Sequence, residues 1–146
     1  MNDVYIETAV GDLRVGFPLH DIDHAIRAVA VREVPAAPGC LIGTIDVAGE
    51  PVALFDTHRM LGLPAQPIRA SDRFLLARAD ARCAFRVDEV IGTLVPRSVA
   101  HGDSVGLRAL GLRGVAADER GTLLLQDLRN MLALERAAAF ALSNHG

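Results

Sequence analysis

The chain has 146 residues and a formal net charge of −3, and 51% of its residues are apolar. This length and composition predict a folded chain of one domain, or of two small lobes that share a core, and exclude an intrinsically disordered chain. All 15 cations are arginines spread along the chain, and only 4% of the residues are aromatic, so the concentrated basic face of a nucleic-acid-binding protein is missing.

The first quarter of the chain predicts a β-hairpin followed by a longer strand. Residues 4–9 and 13–19 alternate apolar and polar side chains on either side of a Gly-Asp turn. Residues 20–25 predict a polar turn. Residues 26–34 alternate again and predict a strand, which Pro35 brings to an end.

Residues 43–63 predict a strand, a tight turn, a second strand and a short helix. Gly49 stands in the turn, where a residue that is free to adopt positive φ is needed. Residues 52–55 form a short apolar run typical of a buried strand, and Asp56 stands where a helix N-cap is expected. The apolar residues at positions 60–63 suit one short helix.

A polar connector with two prolines, at residues 63–72, separates this half from a second set of elements. Residues 74–78 and 83–87 predict another hairpin. After a short polar break, residues 90–95 predict a strand with a bulge at Gly92.

The last third of the chain predicts irregular structure, a hairpin and a helix. Residues 96–108 are polar and irregular, and residues 111–125 predict the hairpin. Residues 127–142 are strong helix formers with apolar side chains three and four positions apart. The chain as a whole therefore predicts a mainly β fold of two small barrels.

The second half of the chain repeats the first. Residues 114–134 align with residues 43–63 without a gap, at a separation of 71 positions. Six positions are identical in the two copies: Gly43 and Gly114, Leu54 and Leu125, Asp56 and Asp127, Met60 and Met131, Leu61 and Leu132, and Leu63 and Leu134. This ordered match predicts an internal duplication. It places two lobes at about residues 1–66 and 67–146, and leaves open a crossover of the chain ends between them.

Few residues offer catalytic or metal-binding chemistry. His20 and His24 could hold a metal from one helix face, but no third ligand lies near, so a solvated turn is the better interpretation. Residues 102–104 resemble the start of an esterase nucleophile motif without the strand-to-helix elbow that it needs. Asp56 and Asp127 are better explained as equivalent helix caps than as a catalytic pair. We therefore expect no enzyme activity, no bound metal and no cofactor.

The compartment is expected to be the cytoplasm. Charges and prolines interrupt every apolar run before the ~20 residues of a membrane span. The first ten residues do not resemble a signal peptide, because they have neither a basic nor an apolar region. Cys40 and Cys83 stand in apolar surroundings and are interpreted as buried small side chains rather than as a disulfide.

Several short motifs occur in an order that is characteristic of one family. In the first half they are Val31-Arg32-Glu33-Val34-Pro35, Gly49-Glu50 and Leu54-Phe55-Asp56. In the second half they are Phe85-Arg86-Val87-Asp88-Glu89-Val90, Gly114-Val115-Ala116 and Leu125-Gln126-Asp127-Leu128. In these motifs the chain resembles the CheW-like family of chemotaxis coupling adaptors, over nearly its whole length.

The resemblance implies two five-stranded SH3-like barrels related by a pseudo-twofold axis, with a C-terminal helix. It also implies a non-catalytic adaptor that links the cytoplasmic tip of a chemoreceptor to the regulatory domain of a histidine kinase. That regulatory domain has the same double-barrel fold, so we expect barrel to pack against barrel. The chain would then work in the cytoplasm at membrane-attached signalling arrays, without membrane insertion.

Two sets of residues follow from the resemblance. An adaptor needs exposed apolar patches, and ordinary core packing is the alternative for each candidate. The candidates are Val34, Leu41, Ile42, Ile45 and Val47 on the first lobe, and Val87 and Val90, with Val10 and Val15, in a groove between the lobes. The structural positions of the family motifs are Glu33, Gly43, Gly49, Asp56, Asp88, Gly114 and Asp127.

One turn departs from the family pattern and keeps two alternatives open. The family has a pattern like Asn-x-Arg-Gly, and this chain has Asp46-Val47-Ala48-Gly49, so a cation expected near Glu33 is missing. One alternative is a CheW-like module recruited to a different protein contact, in a pilus or motility array, in localisation or in kinase regulation. The other, which does not depend on this turn, is a small-ligand sensor or enzyme with a pocket between the lobes, for which His20 and His24 are the only chemical support.

Overall fold

The protein is mainly β. The computed structural model describes residues 3–78, 81–97, 99–101 and 105–145. The strands are, in chain order, β1 (Tyr5–Val10), β2 (Leu13–Pro18), β3 (Ile22–Arg27), β4 (Arg32–Glu33), β5 (Leu41–Val47), β6 (Glu50–Asp56), β7 (Arg73–Arg78), β8 (Arg82–Val87), β9 (Glu89–Leu94), β10 (Ala100–His101), β11 (Leu112–Asp118) and β12 (Gly121–Gln126). The helices are α1 (Thr57–Met60), α2 (Val105–Ala109) and α3 (Leu128–His145), and a 3-10 turn spans Leu19–Asp21.

The strands form two sheets, and each sheet curves into an SH3-like barrel. The first and last strands of each sheet do not pair with each other, so the barrels are open. Barrel 1 has the strand order β3-β7-β8-β6-β5-β4 and contains the middle of the chain. Barrel 2 has the order β10-β11-β12-β2-β1-β9 and combines strands from both ends of the chain. Each described sheet has six strands where the resemblance implied five, because a two-residue edge strand, β4 or β10, is added to each.

Each repeat gives its leading hairpin to the barrel of the other repeat. β1 and β2 pair with β9 and, in parallel, with β12 of the second repeat. β7 and β8 pair with β3 and, in parallel, with β6 of the first repeat. The connector around residues 64–72 therefore separates the two repeats but not the two sheets. The chain passes from barrel 2 to barrel 1 between Asp21 and Ile22 and returns to barrel 2 at Asp88. The boundary between the two sheets therefore does not lie between residues 66 and 67.

The predicted internal duplication is confirmed in the strand register. Cross-strand pairs of the first repeat recur 71 positions later: Leu41 with Phe55 and Leu112 with Gln126, and Gly43 with Leu54 and Gly114 with Leu125. The edge strands β3 and β9 also bulge at equivalent places, between Ile22 and His24 and between Val90 and Gly92. The irregularity in β9 thus lies one position from the bulge predicted at Gly92, because Gly92 pairs with Glu7 and the residue without a partner is Ile91.

Two stretches differ from the sequence-based expectation. The strand predicted at residues 26–34 begins at Ile22 and ends at Arg27, because its register is set by pairing with β7. The backbone N of Ala28 then donates to the carbonyl of Asp72 at 3.2 Å, just before β7 begins. Residues 96–108 were predicted to be irregular, but they include β10 and most of α2. The strand β10 forms because it pairs with β11, with His101 opposite Gly114.

Three apolar clusters fill the described structure. The largest, the inter-sheet core, takes side chains from both sheets and from α3: Ile6, Val10, Val15, Phe17, Ile22, Leu75, Ala77, Cys83, Phe85, Val87, Leu128, Met131 and Leu132. The core of barrel 1 consists of Ile45, Val52, Leu54, Phe74, Leu76 and Ala84. The core of barrel 2 consists of Tyr5, Ala116, Leu123 and Leu125. Both barrels are therefore packed on one shared core that α3 covers.

The absence of a side chain at Gly43 allows β4 to approach β5. A Cβ at this position would overlap the backbone carbonyl oxygen of Arg32, which cannot rotate away. We expect Gly43→Ala to displace β4 and to lower the free energy of unfolding by about 2–3 kcal/mol, as overpacking does elsewhere. Chemical denaturation measures the loss. Gly92→Ala is the control, because a Cβ there meets nothing within 4 Å; equal losses in both variants would contradict this account.

Candidate partner-binding surfaces

Two aspartates at equivalent positions of the repeats cap the helices that follow them. Asp56 is the N-cap of α1 and accepts a hydrogen bond from the backbone N of His58 at 3.1 Å. Asp127 precedes α3 and accepts one from the backbone N of Asn130, also at 3.1 Å. The backbone N of each aspartate donates to the carbonyl of the residue 16 positions earlier, at 2.8 and 2.9 Å. These bonds hold the equivalent strand-to-helix corners of the two repeats.

A polar cluster, here termed the polar junction, consists of the buried Asp56, His58, Asp72 and Arg86 and the partly exposed Asp88. Arg86 Nε donates to Oδ2 of Asp72 at 3.0 Å, and Arg86 Nη1 lies 3.7 Å from Oδ2 of Asp56. His58 Nε2 lies 3.0 Å from Oδ1 of Asp88, and His58 Nδ1 lies 3.3 Å from Oδ1 of Asp56. Because Arg86 is only 2% exposed, removing either of its carboxylate partners would leave a buried charge poorly compensated.

The polar junction connects both barrels to the connector. Arg86 also donates to the carbonyls of Gln66 and Pro67, the latter at 2.7 Å. Asp88 accepts a hydrogen bond from the backbone N of Gly11, in the β1–β2 turn, at 2.7 Å. Since these charged groups are engaged with one another or with backbone, we interpret the junction as structural.

An apolar surface surrounds the core of barrel 1. Six half-buried side chains pack against that core: Ile26, Ala28, Val31, Ile42, Val47 and Ile68. Val29 and Val34 are close to them in the chain and are 42% and 44% exposed. We term these residues together the barrel-1 patch. A group of exposed and half-buried apolar side chains, unlike a single exposed valine, is typical of an interaction site.

Two matching positions of barrel 2 are charged. The 71-residue repeat matches two members of the barrel-1 patch with barrel 2: Ile42 with Arg113, and Val47 with Asp118. Strand pairing matches Ile26 with Leu94, which stays apolar and packs against the barrel-2 core. The duplicated fold therefore replaces two apolar side chains of barrel 1 with charged ones on barrel 2.

A buried carboxylate organises the charged end of barrel 2. Glu7 is 4% exposed and takes the position that Leu76 has in barrel 1. It accepts from Arg14 Nε at 2.9 Å and from Arg120 Nη2 at 2.7 Å. Arg14 also donates to both carboxylate oxygens of Asp118, at 2.8 and 2.9 Å. The hydrogen bonds from Arg14 lower the pKa of Glu7, against the effect of burial, and the pKa of Asp118.

The architecture and the motifs point to one family. The CheW-like domain family matches residues 5–136. The chain belongs to this family. Its structure is also similar to that of the scaffolding protein TtCheW from Thermoanaerobacter tengcongensis, with a TM-score of 0.73 at 13% sequence identity, over 86% of this chain and 84% of that one. No curated protein matches the sequence. The resemblance found in the sequence motifs is confirmed.

This CheW-like chain exposes part of the predicted partner-binding set. Val34, Ile42 and Val47 belong to the barrel-1 patch. Leu41 is half-buried and lines a cleft of about 290 Å³ beside α3. Val90 is half-buried against the inter-sheet core. Of these five residues, Ile42 and Val47 thus pack half-buried on the barrel-1 core, Val34 is exposed, and the other two lie elsewhere.

Ile45 and Val87 are core residues instead. Ile45 is 2% exposed, because alternate side chains of β5 point into barrel 1. Val87 is fully buried, since β8 is a central strand whose side chains fill both the barrel-1 core and the inter-sheet core. The groove expected between the lobes is filled for the same reason, with Val10 and Val15 fully buried in the inter-sheet core.

The residues of the family motifs have distinct positions. Gly43 and Gly114 lie against the backbone of the edge strands β4 and β10. Gly49 has a φ of +85° in the β5–β6 turn. Glu33 is exposed on β4, and no ion pair of its carboxylate is found within the described part of the chain. Asp88 belongs to the polar junction.

The histidine pair is not arranged as a metal site. His20 lies in the 3-10 turn, 3.4 Å from Asp21, whereas His24 lies on β3, so the two do not share a helix face. In the described ranges, no three His, Cys, Asp or Glu side chains are grouped to hold a metal. The esterase-like residues 102–104 lie outside the described residues. None of the described helices has the length and hydropathy that a transmembrane helix requires.

Both cysteines are free thiols, but only Cys83 is buried as the sequence predicted; Cys40 is half-buried beside the Glu135 carboxylate. Burial raises the pKa of Cys83 to about 11. Burial, with a smaller contribution from the nearby Glu135 carboxylate, raises the pKa of Cys40 to about 12. Both groups are therefore protonated, poorly reactive thiols at neutral pH.

Sequence reasoning missed four of the residues that organise these surfaces: Glu7, His58, Asp72 and Arg86. A signal was available for two of them. Glu7 and Arg86 are charged residues inside otherwise apolar strands, and a charge at such a position requires a buried partner.

We expect the buried carboxylate of Glu7 to make stability depend on pH. Its pKa is lowered in the folded chain, so its contribution is present above the ordinary value of 4.5 and is lost as the pH falls through the lower folded value. Glu7→Gln should lower the free energy of unfolding by about 2 kcal/mol near neutral pH, because Arg14 and Arg120 lose a buried anion. It should also flatten the loss of stability in acid.

Urea unfolding at a series of pH values measures both effects. Glu50→Gln is the matched control, because the ion pair of Glu50 with Arg82 is exposed and should contribute less than about 1 kcal/mol. Curves of stability against pH that run parallel for the wild type and Glu7→Gln would show that the buried carboxylate has no such role.

Proposed function

We propose that the chain is a non-catalytic adaptor that couples the cytoplasmic tip of a chemoreceptor to the regulatory domain of a histidine kinase in chemotaxis-type signal transduction. Membership of the CheW-like family supports an adaptor role. The observation that carries the kinase contact is the barrel-1 patch. In this role the chain would act in the cytoplasm at membrane-attached signalling arrays.

The barrel-1 patch has the chemistry of a protein-binding surface. Val29 and Val34 are exposed beside side chains that pack on the barrel-1 core. Removing these two side chains from water on association would contribute on the order of 1–3 kcal/mol. A partner with the same double-barrel fold could bring an equivalent apolar surface to this patch, so we place the kinase regulatory domain here.

The receptor contact is proposed for the edge strand β9. Within the described residues β9 pairs with β1 alone, so its other edge is open. Val90 is half-buried there, and Ile91 is 47% exposed. The strand starts directly after Asp88, so the polar junction holds one end of this edge in place. A receptor helix could rest its apolar stripe on these two side chains.

We expect Val34→Asp to weaken binding of the kinase regulatory domain by ~10-fold or more, because it places a charge in an apolar contact. The fold should be little affected, with a change in stability within about 0.5 kcal/mol, since Val34 is exposed. Isothermal titration calorimetry measures the affinity. Ile91→Asp is the matched control, an exposed aliphatic residue on barrel 2, and should weaken receptor binding while it leaves kinase binding unchanged.

The pair of variants separates the two contacts. Equal loss of kinase binding in both variants would refute the placement of that contact on barrel 1. If wild-type protein binds no kinase regulatory domain at high micromolar concentration, the proposed adaptor function itself is wrong.

A second candidate function is favoured by the β5–β6 turn. Ala48 is exposed there with a φ of +52°, where the family has an arginine, and Glu33 has no ionic partner in the described ranges. We propose as the alternative a CheW-like module recruited to a different protein contact, in a pilus or motility array, in localisation or in kinase regulation.

Restoring the cation distinguishes the two functions. If the chain has left the standard receptor contact, Ala48→Arg should create receptor-tip binding that the wild type lacks, with a gain of ~10-fold or more in affinity. Fluorescence anisotropy with a receptor-tip peptide measures the gain, and Ala48→Gln controls for side-chain length without charge. Tight receptor binding by the wild type would exclude this alternative.

A further inference from the structure

The turn at residues 38–41 is held by two helices from opposite repeats. From α1, Arg59 donates to the carbonyls of Gly39 at 2.6 Å and of Leu41 at 3.4 Å. From α3, the carboxylate of Glu135 accepts a hydrogen bond from the backbone N of Cys40 at 2.9 Å. The turn is therefore held at its carbonyl groups by a cation and at an N–H group by an anion.

Glu135 lies directly against the backbone of this turn. Gly39 has a φ of +65°, and a Cβ at this position would overlap the Glu135 carboxylate. The thiol of Cys40 lies close enough for the same carboxylate to help raise its pKa. One turn of α3 earlier, Leu132 is buried in the inter-sheet core and keeps this part of the helix in place.

The contact of Glu135 has no counterpart in the other half of the duplicated fold. Arg59 does have one, since Asn130 stands 71 positions later and donates to the carbonyl of Arg108 at 2.9 Å. The position 71 residues before Glu135 is Pro64, which lies beyond the end of α1. The long C-terminal helix therefore adds a contact that crosses from the second repeat to the first.

The turn leads directly into the barrel-1 patch. Ile42 follows the turn, and its carbonyl accepts a hydrogen bond from the backbone N of Val34 at 3.0 Å. A shift of the turn would thus move both patch residues together. We infer that Glu135 is a positioning residue, through which the docked helix α3 holds the barrel-1 patch in its binding conformation. The inference rests on the proposed function and adds the dependence of that surface on α3.

The coupling must act in both directions. If docking of α3 favours the binding conformation of the patch, binding of the kinase regulatory domain must favour the contact between Glu135 and Cys40 to the same extent. Hydrogen exchange at the Cys40 amide should therefore slow when the partner is added, although the amide is turned towards α3 and not towards the patch.

The test uses full-length Glu135→Ala and Glu135→Gln. We expect Glu135→Ala to raise amide exchange at Cys40 by ~10-fold and to weaken kinase binding by ~5-fold. Glu135→Gln keeps an oxygen acceptor and should restore both values to within about 2-fold of the wild type. Glu119→Ala, an exposed glutamate on the β11–β12 turn, is the matched control. Thermal melts exclude global unfolding, and Gly39→Ala should reproduce the effect of Glu135→Ala from the other side of the contact.

The outcomes separate the inference from the proposed function. Faster exchange at Cys40 in Glu135→Ala with unchanged kinase affinity would overturn the inference and leave the adaptor function intact. Unchanged exchange would also overturn the inference, whatever the affinity. A wild type that binds no kinase regulatory domain would overturn the proposed function and the binding half of the inference.

Discussion

The exchange of leading hairpins between the two repeats is the constraint on which the rest of the structure depends. Because β1 and β2 belong to barrel 2 and β7 and β8 to barrel 1, neither repeat contains all the strands of a barrel. The exchange brings the two sheets together around the inter-sheet core. Asp88 stands where the chain crosses from one barrel to the other, and its backbone N donates to the carbonyl of Ala9 at 2.9 Å while its side chain meets His58. The polar junction is thus a consequence of the crossing.

The two barrels share a backbone plan but are stabilised differently. Barrel 1 has large apolar side chains at Ile45 and Leu76, whereas barrel 2 has Ala116 and Glu7 at the matching positions. A buried ion pair stabilises less than apolar packing of similar volume, although breaking it is costly. The core of barrel 2 therefore has fewer large apolar side chains and is bordered by a buried ion pair.

The sequence predicted those elements whose structure is determined by interactions between residues close in the chain. The hairpins, the bulge beside Gly92, the capping aspartates and the duplication all follow from residues close in the chain or from direct comparison of the two halves. The hairpin exchange could not be predicted, because both arrangements have the same strands and differ only in long-range pairing. The burial of Ile45 and Val87 could not be predicted either, since alternation shows that one face of a strand is buried but not which cluster covers it. The partners of Glu7 could not be predicted, because Arg120 lies in the β11–β12 turn, 113 positions away in the chain.

Divergence between the repeats gives the two barrels different surfaces. A freshly duplicated fold offers the same surface twice, so a partner that recognises one barrel would also recognise the other. Arg113 and Asp118 in barrel 2 replace Ile42 and Val47 of barrel 1, and an apolar partner surface docking there would have to remove charges from water. Such a penalty at the wrong site discriminates as effectively as attraction at the right one. The proposed adaptor between two different partners would require this kind of asymmetry. The helix α3, which belongs to one repeat and contacts the other, adds a second asymmetry on the side of the apolar patch.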